Sequence, residues 1–232
     1  MTLRTVGLIG GITYHSTVDY YMGINNGVAK ALGGHHSAPL LMSSLNFHDV
    51  RAFQVAEDWE GAAALVNHHA HLLQNAGAQA IVICANLMHR TAPLLEQSLS
   101  IDLIHIVDAI AVEATRRGLD SLGIMGAGWT MREPFYADRL RTNSITPVRA
   151  NDEDITITDE IIFAELTQGI VREESSRQLL SVVDHLAEAG ADGVILGCTE
   201  LPLAITQSDT QVPLIDSTQA HVAAAVRFIL GE

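Results

Sequence analysis

The chain is 232 residues long, 48% of its residues are hydrophobic, and 13 Lys+Arg against 27 Asp+Glu give a formal net charge of −14. A chain of this length and hydrophobic content can bury a real core, as one large domain or two small ones, and is not disordered. Its acidic balance leaves little material for the basic face of a nucleic-acid binder. We therefore expect a globular protein that does not bind nucleic acid.

Membrane insertion and export are not expected either. No apolar run reaches the roughly 18–20 residues that a membrane-spanning helix requires. The first residues, MTLRTVGLIGG, form too short an apolar run for a signal peptide and contain no cleavage site. We expect this stretch to be a buried first strand and the protein to be cytoplasmic.

Short apolar runs alternate with stretches of helical periodicity along the whole chain. This is the pattern of βαβ units around a parallel sheet. Strands are predicted at 5–10, 39–45, 79–84, 102–106, 121–126, 192–198 and 212–216. Helices are predicted at 16–31, 59–76, 89–98, 108–117, 132–142, 154–168, 173–189 and 217–230, and the polar stretch 149–158 is expected to contain a loop.

Three segments occur twice, in the same order, about half a chain apart. VGLIGG at 6–11 resembles LGIMGA at 122–127, AGAQAIVIC at 76–84 resembles AGADGVILGC at 189–198, and IDLIHIVDA at 101–109 resembles VPLIDSTQA at 212–220. We expect two similar Rossmann-like α/β lobes with mainly parallel sheets, related by a pseudo-twofold axis, with the active site in the cleft between them. The predicted lobes are 1–115, joined by 212–232, and 116–211.

The chain has two cysteines, Cys84 and Cys198, and each ends one of the repeated apolar runs. Ligands of parallel α/β sheets bind beyond the carboxyl ends of the strands, so the two thiols would flank one cleft if the halves face each other. A predicted helix N-terminus follows each cysteine. Its free N–H groups suit a carboxylate and would lower a thiol pKa towards a usable thiolate.

Two opposed thiols suit the inversion of a carbon that bears an acidic hydrogen. One thiolate removes the proton from one face, and the opposite thiol delivers a proton to the other face. The roles exchange in the reverse direction. This chemistry fits the racemisation of an amino acid without a metal or pyridoxal phosphate.

Other interpretations of the two cysteines remain open. A free cysteine is often buried as a small hydrophobic side chain. A redox pair would need Cα atoms within about 7 Å of each other. The sequence lacks CxxC and any Cys/His cluster with zinc spacing, so no metal site is predicted.

Several motifs resemble the aspartate/glutamate racemase superfamily over nearly the whole chain. CANLMH (84–89) resembles its C-x-N-T-M-H motif, GCTEL (197–201) its G-C-T-E motif, and GLIGGITYHSTVDYY (7–21) its opening segment. The segments HSAPLL (36–41), HIVDA (105–109) and TMREPFY (130–136) are similar to the broad-specificity amino-acid racemase branch.

The resemblance implies roles for individual residues. Cys84 and Cys198 match the two acid/base cysteines, and Asn86 and Thr130 match residues that bind the α-carboxylate, helped by the backbone N–H groups around Leu87. The resemblance further implies substrate contacts for the remaining candidates, which are Thr199, Glu200, Gln54, Arg51, Thr17 and Gly11. For Thr17, a helix-capping role is an equal alternative. The resemblance also implies that the enzyme needs no cofactor, acts on a small-molecule amino acid and forms a homodimer.

The sequence departs from the aspartate-specific members at a basic position. Thr167 stands where those members have a basic residue, and their other basic contact falls near Arg51. A substrate carboxylate without a charged partner would be costly to bury, which leaves the preferred amino acid open. Hydantoin racemases, decarboxylases and diacid isomerases of the superfamily, and a non-catalytic amino-acid binder, are the alternatives.

Overall fold

The computed structural model describes residues 2–232, and these form two four-stranded sheets in which all paired strands are parallel. The strands are β1 (Val6–Gly10), β2 (Leu40–Ser44), β3 (Ala80–Ile83), β4 (Asp102–Leu103), β5 (Ser121–Gly126), β6 (Thr146–Val148), β7 (Gly193–Gly197) and β8 (Leu214–Asp216). The strand orders are β2-β1-β3-β4 and β6-β5-β7-β8. The predicted α/β class with two similar parallel sheets is confirmed.

Helices follow the strands in both halves. They are α1 (Tyr14–Leu32), α2 (Phe47–Val55), α3 (Trp59–Asn75), α4 (Ala92–Ser98), α5 (Ile106–Arg117), α6 (Gly128–Arg132), α7 (Pro134–Thr142), α8 (Asp152–Ala164), α9 (Glu173–Glu188), α10 (Leu201–Ala204) and α11 (Ser217–Leu230). Short 3-10 helices occur at Leu87–Thr91, Leu166–Gln168 and Gln207–Asp209.

The first sheet is covered on both faces because its strands are apolar on both sides. One face, with Leu8 and Val82, packs against α1 and α11. The opposite face, with Ile9 and Ile83, packs against α3 and α4. Each fully buried aliphatic side chain of this kind contributes about 1.5–3 kcal/mol to folding, which fixes the strand ends that carry the candidate site.

The internal repeat extends to the register of the strands. Ile9 of β1 pairs with Ile83 of β3, and Met125 of β5 pairs with Leu196 of β7. These are the positions that the repeated segments align. The two halves therefore repeat not only a sequence pattern but also the same inter-strand pairing.

The second sheet has one further pair, between Gly126 and Gly197. A Cβ atom on either glycine would come within 2.8 Å of a backbone carbonyl oxygen of the neighbouring strand, so no larger residue fits without a backbone shift. Cys84 therefore comes directly after Ile83, in the last strand pair that both sheets share, whereas Gly197 separates Cys198 from the equivalent Leu196.

The described chain forms two compact units. One consists of the chain up to Ile106 together with His221–Glu232, and the other is Val107–Ala220. The sequence grouped 107–115 and all of 212–232 with the first lobe. In the structure β8 pairs with β7, so the chain through Ala220 belongs to the second unit and only the later part of α11 joins the first.

Several elements differ from the sequence prediction, and the short helices α6 and α10 are among those that were not predicted. β6 was not predicted, because it has three residues and contains Pro147, which is tolerated at the sheet edge that β6 forms. α2 was not predicted either. The stretch 149–158 is mostly helical rather than a loop, because Asn151 caps α8 by accepting a hydrogen bond from the N–H of Asp154 at 2.9 Å.

Candidate active site

Cys84 lies in a tight turn at the carboxyl end of β3. Its N–H donates to the carbonyl oxygen of Ile9 at 2.9 Å, and the N–H of Ala85 donates to the carbonyl oxygen of Ile83 at 2.9 Å. A hydrogen bond that spans only two residues defines a γ-turn, with Cys84 at its centre. The Cys84 side chain is fully buried in the same cluster as Leu8, Val82 and Tyr20.

Cys198 lies at the carboxyl end of β7 in a more polar setting. The side chain is half-buried. Its Sγ donates a hydrogen bond to Oε2 of Glu200 at 2.9 Å, and Oγ1 of Thr199 donates to the same oxygen at 2.6 Å. The three residues of the second cysteine motif therefore share one carboxylate oxygen.

The expected lowering of the thiol pKa values is not what the structure shows. Burial raises the pKa of Cys84. Burial also raises the pKa of Cys198, and the negative charge and hydrogen bond of Glu200 add to this, while backbone N–H groups of Glu200 and Thr199 lower it to a smaller degree. At Cys198 desolvation of the thiolate outweighs these backbone donors, and burial disfavours the thiolate form of both cysteines.

The segment after Cys84 is a 3-10 helix whose first residues are buried. Asn86 and Leu87, the predicted carboxylate contacts of the first motif, are 5% and 9% exposed. His89 is buried and its Nδ1 lies 2.9 Å from the carbonyl oxygen of Ala85. His89 therefore packs against the turn that carries Cys84.

The glycine-rich loop after β1 is held together by Thr17. Oγ1 of Thr17 accepts from the N–H of Gly11 at 2.8 Å and donates to the carbonyl oxygen of Thr13 at 3.0 Å. Gly11 has φ of 79°, and a Cβ atom there would overlap the backbone of Leu45. These contacts give both predicted residues a structural task, and substrate contact for them stays a prediction.

Arg51 and Gln54 form a linked pair on α2. Nη1 of Arg51 donates to Oε1 of Gln54 at 3.2 Å, and Nε2 of Gln54 lies 3.6 Å from Sδ of Met88. Gln54 is 3% exposed. The pair therefore connects α2 to the first cysteine motif within the first unit.

Thr130 in α6 has an unusual side chain. It is 1% exposed, and its Oγ1 has no hydrogen-bond partner among the described residues; Thr158 and Thr218 share this property. An orphaned buried hydroxyl is costly, so each one calls for an explanation such as strain, a catalytic role, or a bound water or ion. The α6 N-terminus is fixed by a hydrogen bond from the N–H of Gly128 to Oδ1 of Asp159 at 2.5 Å.

Thr167 is accounted for locally. Its Oγ1 donates to the carbonyl oxygen of Phe163 at 3.1 Å in the 3-10 helix after α8.

The sequence did not single out Tyr20 or His221, which lie with Cys84 and His89 in the first unit. The hydrogen bond between them could not be predicted from the sequence, because the two residues are 201 positions apart.

Two similar parallel sheets, each with a cysteine after the corresponding strand, define an α/β protein built from a repeated half. The chain belongs to the Asp/Glu/Hydantoin racemase family, whose model matches residues 9–225. This membership supports a racemase function, and hence an isomerase that acts on a small molecule. It confirms the resemblance seen in the sequence.

Solved structures and a curated relative agree with the family. A Yersinia pestis protein described as a candidate Asp/Glu racemase is 38% identical, with a TM-score of 0.93 over 98% of this chain and 100% of that one. An aspartate racemase homologue from Pyrococcus horikoshii is 31% identical, with a TM-score of 0.84 over 98% of this chain and 100% of that one. A glutamate racemase from Shewanella frigidimarina is 27% identical over 74% of this chain and 65% of its own length.

Within residues 2–232, every helix is too short or too polar to cross a lipid bilayer.

Proposed function

We propose that the protein is a cofactor-independent amino-acid racemase that interconverts L- and D-amino acids through a thiolate and a thiol. The observation that carries the proposal is the position of Cys84 and Cys198 after the equivalent strands β3 and β7 of two sheets with the same register. A coincidental pair of buried cysteines would have no reason to follow this repeat.

The proposed reaction moves two protons. A thiolate at one cysteine takes the α-proton, and the electron pair of the broken C–H bond stays on the α-carbon. The thiol of the other cysteine then gives its proton to the opposite face, and this sulfur becomes the thiolate. The mechanism requires both sulfur atoms to reach one α-carbon, and it leaves the protein with the roles of the cysteines exchanged.

The charge that develops on the substrate needs nearby hydrogen-bond donors. Asn86, the backbone near Leu87 and Thr130 supply such donors in this proposal, and they would stabilise the carboxylate and the carbanion next to it. The hydroxyl of Thr199 would join them only after releasing Oε2 of Glu200. The orphaned hydroxyl of Thr130 supports the assignment, because a bound carboxylate would give it the partner that it lacks. Oε2 of Glu200 accepts a hydrogen bond from the thiol of Cys198.

The composition supports a reaction without pyridoxal phosphate. That cofactor is held in its enzymes as a Schiff base with a lysine. The only lysine of the chain is Lys30, which is exposed in the last turn of α1. α1 begins after the carboxyl end of β1 and runs back along the sheet. Lys30, in the last turn of α1, is therefore directed towards the amino-terminal ends of the strands, whereas Cys84 lies at their carboxyl ends.

The proposed substrate is a small amino acid, with aspartate and glutamate as members of the set to be tested. Of Thr167 and Arg51, the two positions that the resemblance links to a side-chain carboxylate, only Arg51 is cationic. A substrate with a second carboxylate would therefore depend on Arg51, whose guanidinium also contacts Gln54.

The proposal is tested by proton exchange in deuterium oxide. Reduced protein is incubated with each common L-amino acid, NMR follows the α-proton, and chiral chromatography follows the D-form. Exchange with D-product, abolished in both Cys84→Ala and Cys198→Ala, is the expected result. Full activity in either variant would refute the two-thiol mechanism, and binding without exchange would indicate a non-catalytic binder.

The homodimer and the cytoplasmic location that the sequence suggests stay predictions. Light scattering of the purified chain tests the first, and fractionation of cells tests the second.

A further inference from the structure

A cluster of buried histidines lies behind the Cys84 turn. The rings of His89 and His105 are 4.6 Å apart between centroids, and those of His89 and His221 are 5.4 Å apart. All three side chains are at most 5% exposed. The proposed proton transfers use none of them, although each is titratable.

Backbone groups fix the protonated nitrogen of two rings. The N–H of Ile106 can only donate, and it points at Nε2 of His89 at 3.2 Å, so this nitrogen carries the lone pair. The proton of a neutral His89 is then on Nδ1, which donates to the carbonyl oxygen of Ala85 at 2.9 Å. The carbonyl oxygen of Ile104 can only accept, so Nε2 of His221, 2.6 Å away, carries a proton.

Tyr20 completes the network. Its hydroxyl lies 2.8 Å from Nδ1 of His221, which is free to accept because the proton of that ring is on Nε2. The two neighbouring histidines therefore have opposite tautomers, and each forms a hydrogen bond with the segment Ile104–Ile106. Burial is the largest effect that lowers the pKa of His89 well below its usual value, followed by the charges that His105 and His221 would carry.

We propose that His89 is a positioning residue for Cys84 and Asn86. As the Nδ1–H tautomer it donates a hydrogen bond to the Ala85 carbonyl. His221, which contacts Tyr20, binds the segment Ile104–Ile106 that in turn donates to Nε2 of His89. The inference rests on the proposed function. Ala85 joins the thiol-bearing residue to the carboxylate contact, so a rotation of this peptide would move both. Misplacement by about 1 Å can cost on the order of 100-fold in rate.

The tautomers are tested without any activity measurement. Long-range proton–nitrogen NMR of the histidine rings at pH 7 should show His89 protonated on Nδ1 and His221 on Nε2, with each signal assigned by its absence in His89→Asn or His221→Asn. If His89 is protonated on Nε2, or on both nitrogens, the network is refuted.

The positioning role is tested with two variants that each keep one half of the His89 contacts. The amide nitrogen of Asn in His89→Asn can replace Nδ1 and still donate to Ala85, whereas Gln in His89→Gln reaches the Nε2 site and leaves the Ala85 carbonyl unpaired. We expect kcat of His89→Asn to exceed that of His89→Gln by about tenfold or more. His69→Asn, a partly exposed histidine that contacts Ser43, is the control and should match the wild type.

Rates are compared per folded molecule, well below each melting temperature. A purely structural histidine would destabilise both variants and leave their kcat values equal, and equal values would overturn the proposal. If the wild type exchanges no α-proton with any amino acid, the proposed function fails and the catalytic role of His89 fails with it, whereas the NMR result still decides whether the network exists. If neither variant folds, the wild-type tautomers decide the inference.

Discussion

The thiol of Cys198 donates a hydrogen bond to Oε2 of Glu200 at 2.9 Å, so a carboxylate lies next to the sulfur atom that would become a thiolate in the proposed reaction. This contact stabilises the protonated sulfur and opposes its ionisation. Burial is the largest effect that raises the pKa of both thiols, and at Cys84 it acts alone. Glu200 therefore adds a control over ionisation at Cys198 that Cys84 lacks.

Replacement of Glu200 should make Cys198 more acidic. Glu200→Gln removes a negative charge while the amide oxygen can still accept from Thr199, so the pKa of Cys198 should fall. In a Cys84→Ala background, the pH midpoint for alkylation of Cys198 should move to lower pH. Glu174→Gln, which removes an exposed carboxylate paired with Arg177, should leave the midpoint unchanged. An unshifted midpoint in Glu200→Gln would contradict the role given to the contact.

Removal of the Thr130 hydroxyl should separate stability from binding. Thr130→Val deletes an unpaired buried hydroxyl, so the free energy of unfolding of the ligand-free protein should rise by about 1 kcal/mol. The same change should raise KM about tenfold or more, because the substrate carboxylate loses a hydrogen bond. Thr158→Val removes another orphaned buried hydroxyl of the second unit and should raise stability alone. A KM change of the same size in both variants would argue against a carboxylate contact at Thr130.

Gly11 should tolerate no side chain. Gly11→Ala combines a φ of 79° with an overlap between the new Cβ and the Leu45 backbone, so a loss above about 3 kcal/mol is expected. Gly34→Ala is the matched control, because φ is 60° there but no atom lies within 4 Å of the Cβ position. It should cost only about 1 kcal/mol. Urea unfolding of both variants measures the difference, and similar losses would exclude the steric explanation.

His185 should make stability depend on pH. Its Nδ1 lies 3.0 Å from Oδ2 of the buried Asp154, which raises the pKa of His185 above its usual 6.5. A raised folded-state pKa stabilises the fold below pH 6.5, and this contribution is lost as the pH rises through the folded-state value.

The measurement compares urea unfolding at pH 6 and pH 8.5. The stability difference between the wild type and His185→Gln should be larger at pH 6. His36→Gln, at an exposed histidine, should show no such change with pH. A difference for His185→Gln that is independent of pH would mean that the ion pair does not contribute.

The sequence could predict features that depend on local patterns. The apolar run before Cys84 and its copy before Cys198 predicted two strands, and the copy predicted a second sheet like the first. A three-residue edge strand such as β6 has too little pattern to be recognised.

The electrostatic state of the thiols could not be predicted, for a different reason. The sequence showed a helix N-terminus after each cysteine, and this local donor favours a thiolate. The burial that reverses the effect is a tertiary property of the Cys84 cluster. Likewise, the contact between Tyr20 and His221 joins residues that are 201 positions apart, which no motif spacing could reveal.

The additional Gly197 bears on how the proposed enzyme would treat mirror-image substrates. L- and D-forms of an amino acid have equal free energy, so their equilibrium constant is 1. Because this constant is the ratio of the two kcat/KM values, kcat/KM must be the same for both enantiomers. Sulfur atoms at unequal distances from the last common strand pair break the symmetry of the repeat without breaking this equality. Any preference of the enzyme for one enantiomer would then appear only as a matched rise in kcat and KM for that enantiomer, and the racemic end point of the reaction would not reveal it.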